Sequence, residues 1–125
     1  PNIDYRGIYK GNFQELYKLL SQYDLMILPT SWKHEGYPGI IIESMISGTV
    51  PIVSNHNYNS EIVTDGFDGS ILKKTNDVEL KKTIFKYFNN QDLIKIHSRN
   101  ALKTSIKYII ENNVQINKII SEISR

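Results

Sequence analysis

Two short apolar runs, Leu25–Leu28 and Val50–Ser54, constrain the fold more than any other feature of this chain. Turn-forming residues bound each run, and such runs are typical of strands that are covered on both faces of a parallel sheet. Between them, Pro38 stands where a helix can begin and Gly48 where one can end, and residues 40–46 are mostly apolar. The sequence therefore predicts a strand, a helix and a second, parallel strand in this order.

The segments on either side of this unit carry further signals. Mixed alternation over Ile3–Ile8 predicts a short first strand that ends in a turn. Asn12 is placed to cap a helix, with Glu15 at the third helical position as in a capping box and apolar residues at helical spacing after it. Residues 60–63 indicate a short helix, and Ser70–Leu72 a last brief strand.

The tail of the chain, residues 76–125, has a helical period throughout. Asn76 is predicted to cap its first helix, a second helix is expected after Asn89–Asn90, and a third segment after Asn112–Asn113. One side of the first tail helix is predicted to carry Leu80, Ile84, Phe85 and Phe88. We expect the tail helices to cover a sheet face or to pack on a neighbouring domain. The alternation of strands and helices predicts an α/β fold, a Rossmann-like parallel sheet flanked by helices, with right-handed crossovers.

Composition excludes several classes of protein. The length of 125 residues corresponds to a single domain, and 15 Lys and Arg against 13 Asp and Glu leave too small a surplus to favour a nucleic-acid partner. The absence of cysteine excludes disulfides, a thiolate zinc site, an iron–sulfur cluster and a cysteine nucleophile. No apolar run approaches the roughly 20 residues that span a bilayer, so neither a membrane helix nor a signal peptide is predicted. The three histidines are too far apart in sequence for a ligand cluster, so no metal site is predicted.

The unusual residues concentrate in Ser31–Gly39, between the first apolar run and the following helix. In open α/β sheets, ligands bind at this carboxyl edge of the strands. Since Pro38 is expected to be the first helical residue, the amides of Gly39, Ile40 and Ile41 would point toward the crevice, at the positive end of the helix dipole. This arrangement predicts a site for an anion, most simply a phosphate.

Two carboxylates flank the predicted anion site. Glu43 lies one helical turn after Gly39, so it is expected to reach back across a position with no side chain and to accept hydrogen bonds from ribose hydroxyls. Glu35 lies at the mouth, where it could hold a second polyol. The alternative is that Glu35 is a surface residue paired with Lys33, and that Glu43 faces solvent. Because Glu43 interrupts an apolar helix, its charge needs either exposure or a partner.

Three segments, Asp24–Thr30, Glu35–Met45 and Gly48–Ser54, together resemble the carboxyl-terminal domain of a GT4-type, GT-B-fold retaining glycosyltransferase of the group 1 family. That family carries two glutamates separated by seven residues, as Glu35 and Glu43 are here. The likeness continues through Glu61 and the turns after it into the tail helices.

The resemblance implies residue roles that spacing alone does not establish. Glu35 would be the catalytic-site residue that contacts the donor sugar, and Glu43 would bind the ribose of the donor nucleotide. The donor sugar and diphosphate would meet backbone and small residues of the connecting loop, namely Gly36, Tyr37, Pro38, Gly39 and Ile40. The family transfers a glycosyl unit with retention of configuration and without a bound metal, so no cofactor is expected.

The sequence also departs from the family pattern. Asn57–Tyr58 stands where the family usually has two glycines, which leaves the donor undetermined. The family's diphosphate-binding Arg and Lys, and its acceptor-binding amino-terminal domain, would lie before Pro1. We therefore expect residues 1–125 to form a single, partial nucleotide-sugar-binding domain that lacks its first strands and does not turn over alone. The Leu25–Leu28 strand would then have an exposed edge, which either pairs with another chain, giving a homodimer, or is repaired by Ile3–Ile8.

Other residues near the site have two interpretations each. Lys33 is either a solvated cation or a neighbour of the diphosphate, and His56 is either an exposed loop residue or a donor contact. Trp32 either stacks on a sugar or base or packs beside the strand end.

The sequence as a whole predicts the donor-binding part of an enzyme that transfers a sugar from a nucleoside diphosphate sugar to a glycan or a lipid-linked acceptor, in polysaccharide biosynthesis. The location expected from this role is cytoplasmic, with a peripheral position at the inner face of the membrane as a further expectation. The alternative is a non-catalytic α/β module that binds a phosphate or nucleotide at the same helix end.

Overall fold

The computed structural model describes residues 3–33, 39–56 and 58–123, with side chains described as far as Glu111. Within these residues the chain forms three strands and five helices. In chain order they are α1 (Phe13–Leu20), β1 (Leu25–Leu28), α2 (Gly39–Ile46), β2 (Val50–Ser54), α3 (Asn59–Ile62), β3 (Ser70–Leu72), α4 (Asp77–Phe88) and α5 (Gln91–Ile123).

The three strands form one parallel sheet in the order β1-β2-β3. Leu25 lies opposite Val50, and Ile52 lies opposite Ser70. The predicted α/β class, with a parallel sheet flanked by helices, is confirmed. Because the strands are parallel, their carboxyl ends meet at one edge of the sheet, and the connection from β1 to α2 starts there.

The central strand β2 is buried along its whole length. On one face, Val53 belongs to a core cluster with Ile41 and Met45 of α2 and Ala101 of α5. On the other face, the buried residues are Val50, Ile52, Leu72 and Tyr87. Both faces of the sheet are therefore covered, which is why β2 is continuously apolar up to its last residue.

Both predicted helix caps are confirmed. The Asn12 side chain accepts a hydrogen bond from the Glu15 amide at 2.9 Å, and the Asn76 side chain accepts one from the Glu79 amide at 2.8 Å. Each cap satisfies an amide that the helix cannot satisfy itself, which stabilises the protein by about 1 kcal/mol. At the other end of α2, Gly48 adopts a φ of 77°, the left-handed conformation that favours glycine.

The predicted strand over Ile3–Ile8 is wrong. This segment has no regular secondary structure, and its apolar side chains are exposed, Ile3 by 91%. A strand needs a neighbour to accept and donate its ladder hydrogen bonds, and within the described residues β1 pairs only with β2. The expected repair of the β1 edge by Ile3–Ile8 is therefore wrong as well. Pairing of that edge with another chain stays a prediction.

Two expectations for the tail are also wrong. The helix does not break at Asn112–Asn113, because α5 is continuous from Gln91 to Ile123. Asparagine costs a helix only several tenths of a kcal/mol, and α5 contains neither glycine nor proline. In α4, Phe85 and Phe88 do not share the buried side with Leu80 and Ile84. The fully buried aromatic residue is instead Tyr87, because its hydroxyl finds partners inside the protein.

A chain of buried hydrogen bonds joins α4 and α5 to β3. The Tyr87 hydroxyl lies 2.8 Å from Ser70 Oγ and 2.8 Å from His97 Nδ1, and Lys86 Nζ donates to Ser70 Oγ at 3.1 Å. All three central residues are at most 2% exposed. Burial raises the pKa of Tyr87 to about 12, so its hydroxyl stays protonated and can donate to His97. Burial, assisted by the charge of Lys86, lowers the pKa of His97.

The lowered pKa of His97 predicts a pH-dependent stability. The groups that act on His97 in the opposite direction, the Gly66 backbone, Asp68 and Asp65, do not reverse its shift. Unfolding releases a histidine with a pKa near 6.5, so the unfolded state gains protons first as pH falls. Stability should be full above pH 6.5 and then fall by up to about 1.4 kcal/mol per pH unit toward the folded pKa.

Urea unfolding between pH 7.5 and 5.5 measures this slope. His97→Gln should flatten it, because the substitution removes the titrating ring while the other two histidines remain. A slope in the variant equal to that of the parent chain would contradict the assignment.

Candidate functional site

The candidate site is the edge of the sheet where β1 and β2 end and α2 begins. Helix α2 starts at Gly39, which is exposed, and its first turn carries no acidic residue. The first amides of a helix have no acceptor within it, and they lie at the positive end of the helix dipole. This end of α2 therefore favours an anion, and the helix's own first turn supplies none.

The side chain of Glu43 reaches back toward this end of the helix. A Cβ atom built at Gly39 would lie 4.0 Å from Glu43 Oε1, so the carboxylate lies over the position that has no side chain. Glu43 is half-buried, between the buried residues Ile42 and Ser44. Within the described residues, no side chain or amide donates a hydrogen bond to its carboxylate. The carboxylate therefore lies next to the amino end of the helix.

The start of the loop from β1 to α2 is held by hydrogen bonds from the end of β2. Ser54 Oγ donates to the Thr30 carbonyl, and His56 Nε2 lies 2.7 Å from the Trp32 carbonyl. Since a carbonyl only accepts, His56 Nε2 must carry the proton. Asn59 in turn donates to the Ser54 carbonyl at 3.0 Å. Both Ser54 and Asn59 are at most 2% exposed, so the bond between them is shielded from water, whereas the bond of His56 is exposed.

The hydrogen bonds by which Ser54 and His56 hold the loop, here called the brace, were not predicted from the sequence. Ser54 was considered only as the end of an apolar run, and His56 was considered as a contact to the donor or an exposed residue. The structure gives His56 a different role, because its ring bonds to the loop backbone. The bond of Ser54 could have been inferred from its position at the end of an apolar, predicted buried strand, because a buried hydroxyl needs a hydrogen-bond partner.

The structure places some of the predicted site residues and not others. Gly39, Ile40 and Glu43 lie together on the first turns of α2, with Ile40 half-buried against the core. Residues Glu35, Gly36, Tyr37 and Pro38 lie outside the described residues, as do His34 and Asn57. The predicted pairing of Glu35 with Glu43 across one pocket therefore stays a prediction.

The described residues contain neither a metal-binding group nor a membrane-spanning helix. In that part of the chain, no three His, Cys, Asp or Glu side chains are grouped so that they could hold a metal ion. No helix there is both long and apolar enough to cross a membrane.

The fold is that of the GT-B glycosyltransferases. The sequence model of the family described as "Glycosyl transferases group 1" matches residues 8–120. Because the match spans most of the chain, the chain belongs to this family, as its sequence motifs predicted.

Individual relatives agree with this assignment. The chain is 29% identical over 119 residues to "Uncharacterized glycosyltransferase MJ1069" of Methanocaldococcus jannaschii, a match that covers 93% of this chain and 29% of that protein. It is 29% identical over 100 residues to "UDP-Gal:alpha-D-GlcNAc-diphosphoundecaprenol alpha-1,3-galactosyltransferase" of Escherichia coli, covering 80% of this chain and 25% of the relative. The chain thus spans less than a third of the length of these curated relatives.

A solved structure confirms the fold. The crystal structure of Anabaena Alr3699/HepE in complex with UDP and glucose superposes with a TM-score of 0.76 at 19% identity. The superposition covers 86% of this chain and 30% of HepE. At this level of identity the likeness shows the fold alone, and it confirms the predicted GT-B architecture.

The brace predicts a change in the motion of Trp32, which is the only tryptophan of the chain. Ser54→Ala and His56→Ala each remove a bond to the loop, so Trp32 should become more mobile and its fluorescence anisotropy should fall. Each substitution should also lower the free energy of unfolding by about 1 kcal/mol. Ser60→Ala, an exposed serine on α3, is the matched control and should leave both quantities unchanged. Equal anisotropy in all four proteins would show that the brace does not hold the loop.

Proposed function

We propose that this chain is the donor-binding part of a retaining, GT4-type glycosyltransferase, which transfers a sugar from a nucleoside diphosphate sugar to a glycan or a lipid-linked acceptor. The observation that carries the proposal is the position of the Glu43 carboxylate over Gly39 at the amino end of α2. A role for the site must rest on its geometry, because one fold supports many activities.

The geometry suits the two parts of a nucleoside diphosphate. The diphosphate is an anion, and it binds the amides at the start of α2 at the positive end of the helix dipole. The ribose presents two neighbouring hydroxyl groups, and a carboxylate accepts a hydrogen bond from each of them. Since Gly39 carries no side chain, the ligand can lie against the backbone and reach the Glu43 carboxylate at the same time.

The segment between the brace and α2 supplies the remaining contacts of the proposal. Glu35 would contact the donor sugar, and the small residues and backbone of Gly36, Tyr37 and Pro38 would contact the sugar and diphosphate. This segment follows a loop whose start is bonded to Ser54 and His56, and it leads directly into α2.

The proposal also covers the acceptor and the inability of the isolated chain to transfer the sugar. The Escherichia coli relative's name gives a UDP-galactose donor and an acceptor linked to diphosphoundecaprenol. An acceptor of this kind would give the enzyme a role in polysaccharide assembly, with the site on the cytoplasmic side and the protein peripheral to the membrane. The acceptor would bind to a separate domain, so the isolated chain binds a donor without transferring its sugar.

We further propose that donor binding requires no metal ion. During transfer, negative charge develops on the leaving diphosphate, and fixed dipoles aimed at that charge can stabilise it. The amino end of α2 supplies such dipoles. Cations from outside this chain would add to their effect.

Calorimetric titration with UDP and GDP tests the proposal. Glu43→Gln should weaken binding roughly 10- to 100-fold, because it replaces charged hydrogen-bond acceptors of the ribose. Gly39→Ala should weaken binding as well, since its methyl group would stand between ligand and helix, although the position is open enough for the protein to fold normally. Addition of EDTA should leave the affinity unchanged.

A matched control and a modified ligand sharpen this test. Glu111→Gln removes an equal charge from an exposed position on α5 and should leave binding unchanged. A dideoxyribose analogue of UDP should bind the parent chain more weakly than UDP does, and Glu43→Ala, which removes every acceptor, should bind both equally. If Glu43→Ala still distinguishes the two ligands, Glu43 does not hold the ribose. If the parent chain binds both ligands equally, a plain phosphate-binding module becomes the better description.

A further inference from the structure

Helix α4 is apolar on its outward side as well as on its inward side. Leu80, Ile84 and Tyr87 face the core, whereas Val78 is 71% exposed and Phe88 is 70% exposed. Phe85 is 48% exposed on the same outward side as Val78. Single exposed apolar residues are ordinary, but two phenylalanines and a valine on one helix face form a patch that indicates an interaction surface.

Lysines flank this patch. A shallow groove of about 430 Å³ is lined by Val78, Phe85, Lys81 and Lys82, together with Asp77. The Lys81 ammonium lies 6.0 Å from the centre of the Phe85 ring. Aromatic side chains between lysines are typical of helices that lie in the interface of a membrane, where the rings enter the boundary and the ammonium groups meet phosphates.

A second, polar groove meets the first at Lys82. Its volume is about 260 Å³, and it lies between β3 and α4. Three lysines, two hydroxyl residues, two acids and one isoleucine line it, in full Lys73, Lys82, Lys86, Ser70, Thr83, Asp65, Glu79 and Ile71. A phosphate at this groove would lie next to the apolar patch, which is the arrangement of a lipid headgroup beside its acyl chains.

The charge of the chain is distributed unevenly, and the excess of basic residues lies in the part that contains α4. After Leu72 lie 11 of its 15 basic residues but only five of its 13 acidic residues. The tail that contains α4 is therefore strongly basic, whereas the part that contains the donor site is acidic. An anionic surface attracts the basic part and repels the acidic part, so it orients the molecule before contact.

We propose that the outward face of α4 docks on an anionic phospholipid surface, with Phe85 and Phe88 entering the headgroup boundary and Lys81 and Lys82 on lipid phosphates. The inference deepens the proposed function, which places a lipid-linked acceptor at a membrane, but its test does not require donor binding. A second copy of the chain is a less suitable occupant. In a two-fold pairing of this face with itself, each copy would bring Lys81 and Lys82 against a single acid, Asp77, so positive charge would be in excess.

Co-sedimentation with vesicles tests the proposal. The parent chain should bind vesicles of equal parts phosphatidylglycerol and phosphatidylcholine and should not bind phosphatidylcholine alone. The Lys81→Gln/Lys82→Gln variant should lower the partition coefficient about 25-fold. The Phe85→Ser/Phe88→Ser variant should lower it by about tenfold or more, and added salt should weaken binding of the parent chain.

Two control variants remove residues of the same types from exposed positions outside α4. Phe13→Ser removes an exposed phenylalanine from α1, and Lys10→Gln/Lys18→Gln removes two exposed lysines from the acidic part of the chain. Both should bind vesicles as the parent chain does. Circular dichroism and urea unfolding of each variant establish that the protein is folded, so loss of vesicle binding by a folded variant supports the docking surface whether or not the chain binds UDP.

Three results would overturn the proposal. The first is equal binding to neutral and anionic vesicles, and the second is unchanged binding by Phe85→Ser/Phe88→Ser. The third is a concentration-dependent dimer of the parent chain that Phe85→Ser/Phe88→Ser abolishes, which would assign the face to a second copy.

Discussion

The burial of β2 on both faces is the constraint on which the rest of the structure depends. One face of this strand packs against α2 and α5, and the other face packs, together with Leu72 of β3, against the buried ring of Tyr87 on α4. Because Val53 meets Ile41 and Met45, α2 must lie along the sheet in one orientation, with its amino end at the carboxyl edge of the strands. The amino end of α2 is therefore positioned by packing in the core of the protein.

Hydrogen bonds hold the two connections of α2, namely its carboxyl end and the loop that leads toward its amino end. The carboxyl end of α2 is tied to α5, where Ser98 donates to the Gly48 carbonyl at 2.6 Å. On the ligand side, Ser54 and His56 bind carbonyls of the loop that leads toward α2. Strand β2 thus carries the packing that places the helix, and its last residue and the residue two positions later carry the side chains that hold the loop. The proposed donor binding implies that substitutions in β2 that never touch the donor would still change its affinity.

The sequence allowed much of this arrangement to be predicted, where the determinants were local or periodic. Two buried runs with a helix between them admit few folds, and the Asn12 and Asn76 caps follow from short patterns. Glu43 over Gly39 was also predictable, since it needs only the helical period and the direction in which side chains lean. These features depend on residues close together in the chain.

Other features depend on distant neighbours and were not predictable in the same way. The bond from Ser54 to Thr30 joins residues 24 apart, and no local pattern encodes it. Ile3–Ile8 has strand-like alternation but no strand beside it, and alternation alone does not supply hydrogen bonds. In α4, both sides of the helix are apolar, so periodicity could not show that Tyr87 rather than Phe88 is buried. That double-sided pattern is also what exposes the patch around Phe85.

The central claim is that the amides at the start of α2 bind a diphosphate whose ribose lies against Glu43. Titration of UDP into the ¹⁵N-labelled chain, followed by nuclear magnetic resonance, tests it most directly. The account predicts that the amide signals of Gly39 and Ile40 shift and saturate together on addition of UDP, and that uridine without phosphates leaves them nearly unmoved. Shifts confined to residues of α4 and α5, with Gly39 unchanged at saturation, would contradict it.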